Sequence, residues 1–205
     1  MPHNLIFIPI LAYFMGSIPF GLVLTRLFSK VNIRGNGSGN IGATNVARLA
    51  GVRLGVITLI GDVLKGFIPV YLAIWLVGQA DCVSAPTWKR EAYVSLVALA
   101  AFFGHQFSVF LKLEGGKGVA TGAGCMAVIA PLPLALSLLV FGLTACFSKY
   151  VSVGSLSGSL LLPFTIWAFM DSKVYLMLSI IIAMFILYQF RENIHRLRSG
   201  TELGI

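Results

Sequence analysis

The sequence predicts an all-α, polytopic membrane protein with about seven transmembrane helices, its N-terminus outside and its C-terminus cytoplasmic. Three observations carry that prediction. The 205-residue chain is 58% hydrophobic and only 11% charged, whereas a soluble domain is about 45–50% apolar and roughly a quarter charged. Apolar runs of about 20 residues recur along it, each long enough to cross a ~30 Å hydrocarbon core as helix. Its Lys and Arg residues gather at one set of run ends.

The runs are Leu5 to Phe28, Leu54 to Val77, Ala92 to Leu111, Val119 to Phe147, Ser155 to Met170 and Val174 to Phe190. The fourth is long and holds Pro131 and Pro133 near its middle. Proline removes a backbone donor and clashes with the preceding turn, so this stretch reads as two short helices. That brings the crossings to seven. The first run has no Lys or Arg before it and no A-x-A-like site, so it reads as a retained span rather than a cleaved signal.

Orientation follows from the basic residues near the run ends. Arg26, Lys30, Arg34, Arg48 and Arg53 lie between the first two runs, while residues 1–4 have neither Lys nor Arg. Lys112, Lys117 and Lys149 then fall inside, as do Arg191, Arg196 and Arg198 at the C-terminal end, which fits an odd number of crossings. Lys89 and Arg90, in the short outer loop, are the exception.

The net charge of +8 is spread over inner loops and not along one soluble face, so positive-inside bias accounts for it and nucleic acid is not an expected partner. Cys82, Cys125 and Cys146 have no metal-ligand spacing, and neither metal nor cofactor is expected. With no repeat and no composition break, residues 1–205 read as one domain.

The polar residues cluster on the inner side: "GNGSGNIGATN" (35–45), "EGGKGVAT" (114–121), "KYVS" (149–152) and "RENIHRL" (191–197). Glycines allow successive amide N–H groups to converge on an anion. In the first loop Gly35, Gly37, Gly39 and Gly42 supply that freedom, and Ser38, Asn40, Thr44 and Asn45 add short polar side chains. A helix starting near Ala43 would add its positive end and carry Arg48 on its first turns. In the second loop Gly115, Gly116 and Gly118 surround Lys117. Either loop alone is readable as a turn, and "GGKG" lacks the spacing of a nucleotide P-loop; together, on one face, they point to phosphate groups.

Asp62 and Lys65, three apart and so on one helix face, sit within a span, where an ionisable group must face protein or water and be paired. The pair reads either as structural or as shaping the polar site. His105 reads as a satisfied polar residue, and His195 as a solvated one. No Ser-His-Asp set or metal cluster is present in the loops, so any chemistry would rest on positioning and charge.

"GSGNIGAT" followed by "NVAR", then "GGKGVAT", then "RENIHRL", in this order and on inner loops, resemble the three motifs of the acyl-phosphate-dependent glycerol-3-phosphate acyltransferases, the bacterial PlsY family. The resemblance covers nearly the whole chain, including "DVLKG" (62–66) and "YVS" (150–152). It implies a multi-pass enzyme of the bacterial inner membrane with its active site on the cytoplasmic side, moving a fatty acyl group from acyl phosphate to the sn-1 hydroxyl of glycerol 3-phosphate. The products would be lysophosphatidic acid and phosphate, in the first step of phospholipid synthesis, and no cofactor would be needed. It further implies Ser38, Arg48, Lys117 and Asn193 as catalytic residues, with Gly37, Gly39, Asn40, Thr44, Asn45, Gly115, Gly116, Gly118 and Ser152 binding substrate. Membrane lipid and a soluble acyl-phosphate-forming enzyme are the implied partners, the latter by metabolic coupling.

One departure stands out: the family's third motif has a histidine three residues before its asparagine, where this chain has Phe190. A second class of function, a small organic-phosphate transporter, also explains seven crossings and basic loops, but it predicts polar motifs on both faces.

Overall fold

The computed structural model describes residues 6–79 and 85–204. The N-terminal residues on which the outside placement rests, the start of the first run at Leu5, His3 and Cys82 lie outside the described residues. Every regular element among the described residues is helical. In chain order these are α1 (Phe7–Ser17), α2 (Phe20–Phe28), α3 (Ala43–Ala50), α4 (Val52–Val77), α5 (Thr87–Gln106), a 3-10 turn (Val109–Leu111), α6 (Val119–Ile129), α7 (Pro131–Ser148), α8 (Val151–Phe169), α9 (Lys173–Gln189) and α10 (Arg191–Arg198).

Prolines explain most differences from the sequence reading. The first run is not one helix: it bends by 41° between α1 and α2. Pro19 has no N–H to give, and Ile18 before it is pushed to an extended conformation (φ −60°, ψ 117°), as a residue preceding proline prefers. The Pro-broken stretch divides as expected, with Pro131 opening α7, where its missing donor is harmless. Pro69 and Pro163, by contrast, lie inside α4 and α8.

Among the described residues four helices are long and apolar enough to cross a membrane, and the bent pairs α1–α2 and α9–α10, each taken as one span, raise the number to six. The 11 residues of α6 rise about 16 Å, about half the hydrocarbon core, so the seventh crossing counted from the sequence falls on a short apolar helix.

The chain forms two compact units, Met1–Ile129 and Ala130–Ile205. In the first, α1 packs along α5, and α4 is central, touching α1, α2, α3, α5 and α6. Small residues bring backbones together there: a Cβ on Gly104 would lie 2.2 Å from Tyr13 O, and one on Gly124 2.1 Å from Val63 O. Such close approach is how helices associate where lipid offers no hydrophobic drive. In the second unit α8 packs on both α7 and α9, and Gly154 of α8 meets Phe141 of α7 in the same way.

Many large apolar side chains face outward, among them Phe147 at 84% exposure and Trp167 at 73%. Exposed apolar surface on this scale marks contact with lipid or partners, and with the apolar spans it makes this a multi-pass membrane protein.

Candidate functional site

The first glycine-rich loop is anchored at both ends by apolar residues. Ile33 and Ile41 are buried with Leu22 and Val46 in a small core beneath it. Asn45, on α3 and 2% exposed, organises the loop from within. Its Oδ1 accepts the backbone N–H of Ser38 at 3.0 Å, and its Nδ2 donates to the carbonyls of Ile33 and Asn40 at 3.0 and 2.9 Å. Asn40 Oδ1 accepts the N–H of Gly42 at 2.8 Å, which sets up the start of α3. At Gly37 φ is +62° and a Cβ would lie 2.3 Å from Asn45 Oδ1, so two constraints select glycine there. Ser38 is half-buried and Thr44 exposed. Arg48 is exposed on the last turn of α3, not the first turns expected from the sequence, because the helix ends at Ala50.

The second loop is approached through two consecutive left-handed residues, Lys112 and Leu113, a strained route of the kind that clusters at functional sites. It then runs against the C-terminal end of α5. The N–H of Gly115 donates to Gln106 O at 2.9 Å and that of Gly116 to His105 O at 3.0 Å. Gln106 Nε2 donates to Lys117 O at 3.1 Å. A Cβ on Gly118, whose φ is +83°, would lie 2.6 Å from the Phe102 ring. Arg34 of the first loop reaches Glu114 of the second, donating to its carbonyl and lying 3.7 Å from its carboxylate. The two loops are therefore neighbours.

Behind them lies a buried chain of polar side chains. Lys65 Nζ is 2.8 Å from Asp62 Oδ1 and donates to Ile18 O at 2.9 Å, the carbonyl at the α1–α2 break. His105 Nδ1 lies 3.6 Å from the same Asp62 oxygen. Asp62 and Lys65 are thus paired as the sequence requires, and the pairing extends to a third residue on α5.

The second unit holds a separate polar cluster. Asn193 of α10 is buried and donates through Nδ2 to Glu202 Oε1 at 2.6 Å. Arg196 Nε donates to Glu202 Oε2 at 2.9 Å. Ser152, on the first turn of α8, is also buried; its hydroxyl is outside hydrogen-bond geometry but near enough to favour the charged carboxylate. Burial pushes the Glu202 carboxyl up, and the hydrogen bonds from Arg196 and Asn193, with the nearby Ser152 hydroxyl and the Arg196 charge, outweigh it, so it ends below its ordinary value. Gly200 makes this possible: at φ +69° it ends α10 with the Thr201 N–H returning to Arg196 O at 2.9 Å, a Schellman turn that folds Glu202 back over the helix. Phe190, 4% exposed, is buried at the bend between α9 and α10.

The structure therefore gathers Ser38, Asn40, Asn45 and the second-loop residues Gly115 to Gly118 in the first unit, and Ser152 with Asn193 in the second. Sequence reasoning missed Gln106 and Glu202. Nothing local marks Gln106, a polar residue at the end of an apolar run. Glu202 had a signal: a basic last turn followed by Gly200 foretells a chain reversal, and Glu202 is the acid that follows it.

The glycerol-3-phosphate acyltransferase family model matches residues 6–200. The glycerol-3-phosphate acyltransferase of Geotalea daltonii is 45% identical over 191 residues, 93% of this chain and 92% of that protein. That of Syntrophotalea carbinolica is 43% identical over the same shares. Among solved structures, the crystal structure of PlsY, an integral membrane glycerol 3-phosphate acyltransferase, matches in its glycerol 3-phosphate form with TM-score 0.89 and 35% identity, over 98% of this chain and 96% of that one. Its lysophosphatidic acid form matches with TM-score 0.86 and 34% identity, over 98% and 95%. With the three motifs and this fold in agreement over almost the full length, the chain belongs to the PlsY family of glycerol-3-phosphate acyltransferases.

Proposed function

We propose that this protein transfers a fatty acyl group from acyl phosphate to the sn-1 hydroxyl of glycerol 3-phosphate at the cytoplasmic face of the bacterial inner membrane. The observation that carries the proposal is the pair of adjacent glycine-rich loops, tied by Arg34 and Glu114 and bordered by cationic Lys117 and Arg48. Both substrates carry phosphate, and the acyl chain belongs in the lipid that surrounds the apolar helices. Relatives solved in glycerol 3-phosphate and lysophosphatidic acid forms support the same acceptor and product.

In this reading the hydroxyl oxygen attacks the acyl carbonyl carbon, the bond from that carbon to the phosphate oxygen breaks, and phosphate leaves. A substrate phosphate oxygen takes the hydroxyl proton. Acyl phosphate is already activated, so the protein contributes proximity and charge stabilisation. Lys117 and Arg48 neutralise phosphate; Ser38 and Asn193 contact the reacting groups. Gly37, Gly39, Gly115, Gly116 and Gly118 shape the loops, Thr44 and Ser152 bind substrate, and Asn40 and Asn45 act by holding the first loop. The seven-crossing topology with N-terminus outside, the single domain over 1–205 and metabolic coupling to a soluble acyl-phosphate-forming enzyme belong to the same proposal.

The test is lysophosphatidic acid formation by the purified protein in lipid, with palmitoyl phosphate or palmitoyl-CoA as donor, with and without glycerol 3-phosphate, phosphate release being followed alongside for the acyl phosphate. Formation of 1-acyl lysophosphatidic acid from palmitoyl phosphate and not from palmitoyl-CoA, with phosphate release that depends on glycerol 3-phosphate, both lost in folded Lys117→Met, is the expected result. Equal use of palmitoyl-CoA, or turnover retained in Lys117→Met, overturns it.

A further inference from the structure

We propose that His105 is a positioning residue: its imidazole is the seat on which the second glycine-rich loop rests, and through that seat it sets where Lys117 stands. The proposal rests on the reading of that loop as the holder of a substrate phosphate.

Three consecutive loop residues are held by residues 105 and 106, at Gly115 N, Gly116 N and Lys117 O. The backbone contacts fix the loop along its length, and the His105 side chain fixes its depth. A Cβ on Gly116 would lie 2.3 Å from His105 Nε2 and 3.0 Å from Cε1, so the ring edge abuts the Gly116 backbone directly. Ordinarily a side chain yields to such a contact by swinging away. Here the ring is 4% exposed, with Asp62 at 3.6 Å behind it. Asp62 is in turn held by Lys65, and Lys65 by Ile18 O. The ring has no room to retreat, and Lys117 follows Gly116 directly.

A histidine beside an aspartate invites a reading as general base. The geometry points away from it: Nδ1 faces Asp62 and Nε2 is covered by Gly116, so neither nitrogen opens on a substrate hydroxyl. His105 acts through Lys117 instead.

The experiment is a mutant cycle on purified protein in lipid, using His105→Ala, His105→Gln, Gly116→Ala and His105→Ala/Gly116→Ala. Wild-type phosphate release from palmitoyl phosphate is measured first, and its dependence on glycerol 3-phosphate tests the underlying reading separately. His105→Ala leaves a gap beneath Gly116, and Gly116→Ala adds bulk to the seat. Each should raise KM for glycerol 3-phosphate about tenfold or more, as loss of substrate-binding contact does, with kcat falling less. The double variant should recover most of that loss, far short of the product of the two effects, because the added methyl fills the vacated space. His105→Gln, which keeps bulk, should stay within about fivefold of wild type. Amide exchange at Gly115 and Gly116 reads the seat without any substrate and should accelerate in His105→Ala.

A folded His105→Ala with unchanged KM and unchanged exchange overturns the proposal. So does a fall in kcat alone with no recovery in the double variant, which would indicate proton transfer, and so do two effects that simply multiply. If His105→Ala fails to fold, the cycle runs with His105→Gln, whose flexible chain gives way to the Gly116→Ala methyl.

Discussion

The side-chain oxygen of Asn45 accepts the backbone N–H of Ser38 at 3.0 Å, across seven residues of glycine-rich chain. The loop is therefore a built object and not a flexible tether. Asn45→Ala would leave the half-buried Ser38 N–H and the carbonyls of Ile33 and Asn40 without this partner, a loss of about 1–3 kcal/mol for unsatisfied groups. The expected outcome is faster amide exchange over residues 33–40 and a raised KM for glycerol 3-phosphate, read by exchange mass spectrometry and steady-state kinetics.

The two left-handed glycines of this loop should respond differently to alanine. At Gly37 a Cβ meets Asn45 Oδ1 at 2.3 Å, whereas at Gly39 the nearest atom is Arg34 O at 3.4 Å. Gly39→Ala carries only the backbone strain, about 1 kcal/mol; Gly37→Ala adds a collision with the residue that organises the loop. Activity should fall further in Gly37→Ala, and equal losses would show that the Asn45 contact does not matter.

Asp62 and Lys65 are 4% and 2% exposed. Removing one member of a buried pair typically costs about 3–5 kcal/mol, because the other is left uncompensated. Asp62→Asn and Lys65→Met should each lower the thermal midpoint in detergent sharply, and the double variant should lose less than their sum.

Glu202 gives a pH signature. Its carboxyl titrates below its ordinary value of 4.5 because the partners around it outweigh burial. A lowered folded-state value means that the contribution to stability is wholly present above the ordinary range and is lost as pH falls through the lowered value. Glu202→Gln should therefore destabilise the protein at neutral pH, and the difference from wild type should shrink on acidification. Thermal midpoints of both proteins across acidic to neutral pH decide it.

How far the sequence carried the fold depended on whether the signal was local. Pro131 broke its run as read, and Ala43 opened a helix where the glycines ended. Pro19 carries the same local signal but sits within a strong apolar run, while Pro69 and Pro163 lie inside helices, so proline alone does not decide. The loops were legible as polar islands, yet the division of labour inside them was not. Asn45 looks like any other short polar residue until the chain closes on it. His105 and Gln106 gain meaning only from residues 115–117, and no periodicity announces such a contact. Phe190 stood out against the motif, and only its burial shows that the position faces the protein interior.

The break between α1 and α2 also bears on the order in which the protein is made. Ile18, held extended by the proline that follows it, offers one carbonyl to both the Phe20 N–H at 3.1 Å and Lys65 Nζ at 2.9 Å, and it is made before Lys65. Asp62 lies on the same face of the same helix, and a paired couple lowers the roughly 2.5–3.5 kcal/mol that an unpaired ionisable group costs at the centre of a span. His105 joins last, when α5 is synthesised. Early-made segments thus prepare the support against which a later loop is laid, and a lysine within the span is a companion of the proline that precedes it by 46 residues.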